Sequence, residues 1–244
     1  MNGCAELKHK ALAFFHGWGA SGRIWRRQAE VFGNRLRVLT PDIPAWEPDW
    51  FREYLSELAL PECVLVGWSL GGMLLAQALA QYQGPPPGGL VLVGVAAAFC
   101  RKSDCPWGQA PSGVRAMRRA LGEDPQRVLA NFAGNCLAPG EEPFRAEVAA
   151  GFRSPAHPEN LAAGLDYLLR QDLRGSLSRI PGAPVIVQCE AHRIVAAPQA
   201  KFLHEGLPGS KLHLLKGAGH LPFVTQAAAF NGILERILGG GPEQ

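Results

Sequence analysis

The run Cys63-Val64-Leu65-Val66 leads into Gly67-Trp68-Ser69-Leu70-Gly71, and that turn passes directly into Gly72-Met73-Leu74-Leu75-Ala76-Gln77-Ala78-Leu79-Ala80. The first run is apolar and β-branched and reads as a buried strand; the last reads as a helix. A strand that turns sharply into a helix belongs to a sheet with helices packed on its faces. The turn follows the pattern G-x-S-x-G, which holds its central serine in a strained backbone conformation and requires small flanking residues. Gly67 and Gly71 meet that need. The helix that follows aims its unpaired N–H groups and positive dipole end at Ser69, which favours negative charge developing there.

The rest of the chain repeats the alternation. Strands are expected at Ala11–Phe15, Leu36–Thr40, Cys63–Val66, Leu90–Val93, Val185–Gln188 and Leu212–Leu215. Helices are expected at Ser21–Phe32, Trp50–Ala59, Leu70–Gln81, Gln199–His204 and Val224–Leu238. Such alternation gives a mostly parallel sheet with helices on both faces, an α/β fold. A chain of 244 residues can bury one large core, so a single domain over 1–244 is expected. Between Val95 and Pro184 the strands stop and helical patterns take over, at Val114–Leu121, Pro125–Phe132, Pro143–Ala150 and Leu161–Leu169. An insertion of this kind, placed at about 99–178, reads as a cap that buries the acyl part of a substrate and limits water.

Two distant segments complete a site around Ser69. Leu12-Ala13-Phe14-Phe15-His16-Gly17-Trp18-Gly19 is a strand running into a glycine-rich turn. A turn in this position supplies one backbone N–H to an oxyanion hole, and the residue after the nucleophile supplies the other. The donors are then Trp18 and Leu70, with the Trp18 indole as an apolar wall for an acyl chain. His16 reads as a structural residue that orients the loop. The second segment, Leu212–Phe223, ends a strand in Gly217-Ala218-Gly219-His220-Leu221-Pro222-Phe223. His220 is the expected general base, taking the Ser69 proton and returning it to the leaving alcohol.

Composition narrows the alternatives. A net charge of +3 is too small to argue for nucleic-acid binding. No apolar run reaches membrane-spanning length and no signal-peptide pattern opens the chain, so a cytoplasmic protein is expected. The six cysteines are scattered without a C-x-x-C pair, which favours reduced thiols and argues against a metal site. No cofactor is called for, and a monomer is expected.

His16-Gly17-Trp18-Gly19, Gly67-Trp68-Ser69-Leu70-Gly71-Gly72 and Gly217-Ala218-Gly219-His220-Leu221-Pro222-Phe223 resemble the pimeloyl-acyl-carrier-protein methyl ester carboxylesterases of biotin synthesis, within the α/β-hydrolase superfamily. Further similarity lies in Leu165–Arg174 and Pro184–Val195. The resemblance implies Ser69–His220 catalysis through an acyl-enzyme, with methanol as the leaving alcohol. It also implies an acyl-contacting Phe at Phe132 and a cap whose arginines, Arg115, Arg118, Arg119 and Arg127 as a group, hold an acidic acyl carrier protein. The same arginines read equally well as a solvated face.

The chain departs from this family twice. The loop Pro41-Asp42-Ile43-Pro44-Ala45-Trp46-Glu47-Pro48 lacks the glycines and serine that the family carries there, so one wall of the site is expected to be rebuilt. After the fifth strand the chain reads Cys189-Glu190-Ala191-His192-Arg193-Ile194-Val195, and His192 stands where relatives have the triad aspartate. Three arrangements follow. Glu190 supplies the carboxylate, another loop such as that after Val95 supplies it, or the site works as a Ser69–His220 dyad. Two other functions stay open at this point: a lyase of the menaquinone-pathway type on the same fold, and a non-catalytic carrier-binding relative that has lost its acid.

Overall fold

The computed structural model describes residues 9–152 and 158–239; Cys4 and His157 lie outside them. Six strands form one sheet: β1 (Ala11–Phe15), β2 (Arg37–Leu39), β3 (Cys63–Trp68), β4 (Gly89–Val93), β5 (Val185–Cys189) and β6 (Lys211–Leu215). Their order across the sheet is β2-β1-β3-β4-β5-β6. Every pairing is parallel. Successive side chains on a strand point to opposite faces, and both faces of this sheet are covered. Phe15 and Leu65 enter one core cluster, while Phe14, Val64 and Val66 enter the other. That is why the strands are continuously apolar instead of alternating.

The helices are α1 (Arg26–Phe32), α2 (Pro48–Ser56), α3 (Ser69–Leu79), α4 (Pro111–Ala120), α5 (Pro125–Asn135), α6 (Arg145–Gly151), α7 (Pro158–Arg170), α8 (Ala197–Gly206), α9 (Pro222–Thr225) and α10 (Ala227–Gly239). Helix α3 lies in the core beside the central strands. All of its residues except Gln77 are buried, which explains an apolar sequence with no polar face. On the opposite face, Trp25 stacks on Phe223 with ring centroids 4.0 Å apart, and α10 packs there through Phe230 and Leu234. Gln28 closes this layer by donating to the Phe223 carbonyl at 2.8 Å.

Three expected helices are broken; in Pro143–Ala150 a 3-10 turn at Glu142–Phe144 precedes α6. Ser21–Phe32 opens with a 3-10 turn at Gly22–Trp25 before α1 begins. The turn docks on the exit of β2, where the Gly22 N–H donates to Asp42 at 2.7 Å and a Cβ on Gly22 would stand 2.0 Å from the Thr40 carbonyl oxygen. Val224–Leu238 divides at Gln226, whose backbone leaves the helical region (φ −126, ψ 46). The Gln226 side chain donates to the Lys216 carbonyl at 2.8 Å and ties this break to the loop that precedes His220.

Helices α4 to α7 all lie between β4 and β5. Arg118 on α4 forms a bidentate pair with Asp166 on α7, at 2.6 and 2.9 Å. The two ends of the insertion meet in a second cluster. There Arg174 binds Asp172 and Asp104, and Lys102 reaches Asp172 at 2.9 Å. These cations hold the Asp172 carboxyl well below the ordinary carboxylate range, the Arg174 hydrogen bond being the largest cause.

Candidate active site

In a parallel sheet, loops that leave the carboxyl ends of the strands gather on one edge, and the crevice opens where neighbouring strands lead in opposite directions. Here that point lies between β1 and β3, in the order β2-β1-β3. The loop after β1 carries His16 to Gly19 and the turn after β3 carries Ser69. The loops after β4, β5 and β6 bring Gly94, His192 and His220 to the same edge.

Ser69 is the one non-glycine among the described residues with a positive φ, 54°. A side chain in this region is strained, and such strain persists only where the surroundings enforce it. Close backbone packing does so. A Cβ on Gly71 would sit 2.1 Å from the His16 carbonyl oxygen, and one on Gly67 would sit 2.6 Å from the Gly72 Cα. The glycines therefore allow α3 to begin against β1 and Ser69 to project from the turn. Its Cβ in turn lies 3.0 Å from where a Cβ on Gly17 would be, so the two loops are in direct contact.

The oxyanion-hole candidates face this turn. Leu70 is in the first turn of α3, where N–H groups have no partner within the helix. The Trp18 N–H has no hydrogen-bond partner among the described residues. His16 holds the loop. It is buried, its Nε2 accepts from the Ile43 N–H at 3.0 Å, and its Nδ1 lies 2.9 Å from the Gly17 carbonyl oxygen. An Nε2 that accepts leaves the proton on Nδ1, so Nδ1 donates to Gly17. Burial pushes the His16 pKa down to about 4, which keeps the ring neutral. The altered loop after β2 packs behind the His16 loop and does not line the cavity at Ser69: Ile43 and Trp46 are buried, and Trp46 meets the His16 ring edge-on at 5.6 Å.

His220 is only 1% exposed. Its N–H donates to the Cys136 carbonyl at 2.7 Å, and its own carbonyl accepts from the Trp68 indole N–H at 2.9 Å. The imidazole packs on the Trp68 ring at a centroid distance of 5.1 Å, so the base candidate rests on the residue that precedes Ser69. Its Nε2 is buried without a hydrogen-bond partner among the described residues. A second support was not legible in the sequence. Glu141, 6% exposed, accepts from the Gly219 N–H at 3.1 Å to each oxygen and from the Ala138 N–H at 2.8 Å. A carboxylate in the cap thus anchors the loop that carries His220. Glu141, the first of two adjacent glutamates after Gly140, gives no periodic or motif signal.

The position of the missing acid is filled by His192. Its Nε2 lies 2.5 Å from His220 Nδ1, and its Nδ1 accepts from the backbone N–H groups of Ile194 and Val195 at 3.1 and 2.9 Å. Glu190 is exposed beyond the end of β5 and does not reach His220. The carboxylate after Val95, Asp104, is spent on Arg174. Gly94 (φ +55) lies under both rings; a Cβ there would stand 2.9 Å from His192 Nε2 and 3.0 Å from His220 Nδ1. Burial lowers the His192 pKa to about 3. It pushes His220 well below its ordinary value too, with the neighbouring His192 adding to the effect.

A cavity of about 260 Å³ opens at Ser69, beneath the cap. Trp18, Phe99, Val114, Phe132 and Leu165 give it apolar walls, and Gln109, Asn135 and Arg193 add polar groups. Phe132 meets Trp18 edge-on at 5.1 Å. The Trp18 indole donates to the Leu161 carbonyl of α7 at 2.8 Å, so the wall is pinned to the cap. Of the four cap arginines, Arg118 is paired with Asp166, and Arg127 lies within 4.0 Å of Glu123 and Asp124; all four are exposed. No group of His, Cys, Asp and Glu that could hold a metal occurs among the described residues.

The chain is similar to proteins of known name over nearly its whole length. A pimeloyl-[acyl-carrier protein] methyl ester esterase of Nitrosomonas europaea is 28% identical over 229 residues, covering 88% of this chain and 90% of that one. Its counterpart in Vibrio cholerae is 29% identical, covering 90% of each. These likenesses match the resemblance read from the three motifs. Among solved structures, an esterase from Exiguobacterium antarcticum superposes with a TM-score of 0.86 at 20% identity, covering 95% of this chain and 92% of that chain; at this identity the likeness speaks to the fold. A model of the alpha/beta hydrolase family matches residues 12–233, and the chain belongs to that family.

Proposed function

We propose that this protein is a serine carboxylesterase that cleaves an acyl ester at Ser69. The reading is carried by one observation: a strained serine at the turn between β3 and α3 lines an apolar cavity and lies against the loop that carries Trp18. The ester carbonyl lies between Ser69 and the N–H groups of Trp18 and Leu70. Attack by Ser69 Oγ places the negative charge of the tetrahedral intermediate on the carbonyl oxygen, and two preoriented donors stabilise that charge more than they stabilise the ester. The Ser69 proton passes to His220 Nε2 and then to the departing alkoxide. Water resolves the acyl-enzyme by the reverse proton path. The chemistry needs no cofactor.

The substrate class follows from the cavity and the relatives. Apolar walls at Trp18 and Phe132 suit a medium acyl chain. The relatives' names support a methyl ester of a pimeloyl group borne on an acyl carrier protein. Arg115 and Arg119, exposed on α4, are the cations with which an acidic carrier would pair, helped at the edge by Arg127. A monomer acting in the cytoplasm suits that role.

Hydrolysis of p-nitrophenyl butyrate by the purified protein tests the reading. Turnover is expected and Ser69→Ala abolishes it. Failure to hydrolyse any of a panel of short esters, methyl pimeloyl thioesters included, would overturn it in favour of proton-abstraction chemistry or a binding role.

A further inference from the structure

His192 contributes a hydrogen-bond pattern that a carboxylate never has. A backbone N–H can only donate. Since Ile194 and Val195 both donate to His192 Nδ1, that nitrogen carries a lone pair and no proton. A neutral imidazole then keeps its proton on Nε2, the atom 2.5 Å from His220 Nδ1. Two protons cannot share that short contact, so His220 Nδ1 is the acceptor and the His220 proton sits on Nε2. We propose that His192 is a positioning residue which locks His220 in the tautomer opposite to the one a general base requires, so that the resting enzyme holds Ser69 unactivated and turns over slowly. The proposal rests on the esterase reading above, whereas the tautomer itself does not.

The proton inventory shows why this matters. Acylation moves the Ser69 hydroxyl proton onto a lone pair at His220 Nε2. In the locked pair that nitrogen already carries hydrogen. To free it, the His220 proton must move to Nδ1 and the His192 proton must move from Nε2 to Nδ1. There it would point into two N–H groups that have lost their acceptor. A triad aspartate avoids the conflict: one oxygen takes the two backbone N–H groups and the other accepts from Nδ1–H. Ionised pairs do not relieve it either, because both rings are buried and burial disfavours their cationic forms.

Nitrogen-15 NMR of histidine-labelled protein reads the tautomers directly. The expected pattern has His192 and His220 both protonated on Nε2 and both bare on Nδ1. A proton on His220 Nδ1 would overturn the proposal. The kinetic arm compares three variants by p-nitrophenyl butyrate hydrolysis. His192→Asp keeps an acceptor for Ile194 and Val195, and His192→Glu keeps the reach of the imidazole. At least one of them is expected to raise kcat on the order of 10²–10⁴-fold, the scale set by a wrong-tautomer histidine in a well-studied triad. His192→Asn, whose oxygen accepts from the backbone while its amide donates to His220 Nδ1, is expected to stay within a few-fold of the parent. A purely structural role would make all three variants worse. That outcome, with the folded carboxylate variants carrying His220 Nδ1–H by NMR, overturns the proposal. Ser69→Ala in the faster carboxylate background separates the two readings: loss of the gain keeps the esterase assignment, and its survival removes that assignment while leaving the tautomer result standing.

Discussion

Glu141→Ala offers a quantitative test of how the cap holds the base. The carboxylate satisfies two buried N–H groups, those of Gly219 and Ala138. Truncation leaves both without an acceptor, in a pocket where a Cβ on Gly219 would already meet the Cys136 carbonyl oxygen at 2.4 Å. An orphaned buried donor costs about 1–3 kcal/mol, so the pair costs roughly 2–6 kcal/mol. For a chain of this size each kcal/mol shifts Tm by about 2–4 °C, so even the middle of that range is a fall of roughly 8–16 °C. Glu141→Gln keeps one acceptor oxygen and is expected to lose about half as much. Gly219 adjoins His220, so a relaxed loop misplaces the imidazole. Displacements of about 1 Å cost on the order of 10²-fold in rate, and kcat is expected to fall further than KM rises. Circular-dichroism melting and ester kinetics on both variants measure this. A Glu141→Ala protein that melts within about 1 °C of the parent and keeps its kcat would refute the anchoring role.

Other perturbations follow from the same geometry. Gly71→Ala places a Cβ 2.1 Å from the His16 carbonyl oxygen, which belongs to buried backbone and cannot yield. Overpacking of this kind costs about 1–3 kcal/mol or more, and lower Tm together with lost turnover is expected; an active variant of parental stability would contradict it. Phe132→Ala opens the cavity beside Trp18 and is expected to raise KM for hexanoyl and longer p-nitrophenyl esters more than for the acetyl ester, with an equal effect on all chain lengths counting against an acyl-binding role. Stability is expected to fall on acidification. The pKa of His16 is about 4 when folded against 6.5 when free, so the unfolded chain binds the extra proton between those values. Stability is therefore complete above pH 6.5 and is lost as pH drops towards 4, by ~3 kcal/mol for His16 alone. His192, lowered to about 3, adds in the same direction. Urea unfolding at pH 7, 6 and 5 measures the slope, and a flat profile would contradict neutral burial.

The strands, the elbow and the two loops could be read from the sequence because each is written locally. Val64–Val66 is apolar throughout since it is covered on both faces, and Gly67 and Gly71 mark the tight turn since backbone approaches there. His16 reads as a loop-orienting residue because a better base candidate, His220, lies downstream. Helix ends at Gly22 and Gln226 were not legible, because contacts with Thr40, Asp42 and Lys216, distant in the chain, set them. Glu141 stayed hidden because its partners are backbone N–H groups, which carry no sequence label. The substitution at His192 was visible as a lost carboxylate, but its consequence was not. That depends on which ring nitrogen meets the Ile194 and Val195 N–H groups, and only the folded loop fixes it.

Ser69 as the covalent nucleophile is open to direct measurement. The protein is incubated with a fluorophosphonate, its intact mass is recorded and the labelled peptide is sequenced. One adduct on Ser69 is expected, absent in Ser69→Ala and slowed in His220→Ala. An ester-hydrolysing sample that carries no label, or carries it on another residue, would contradict the account.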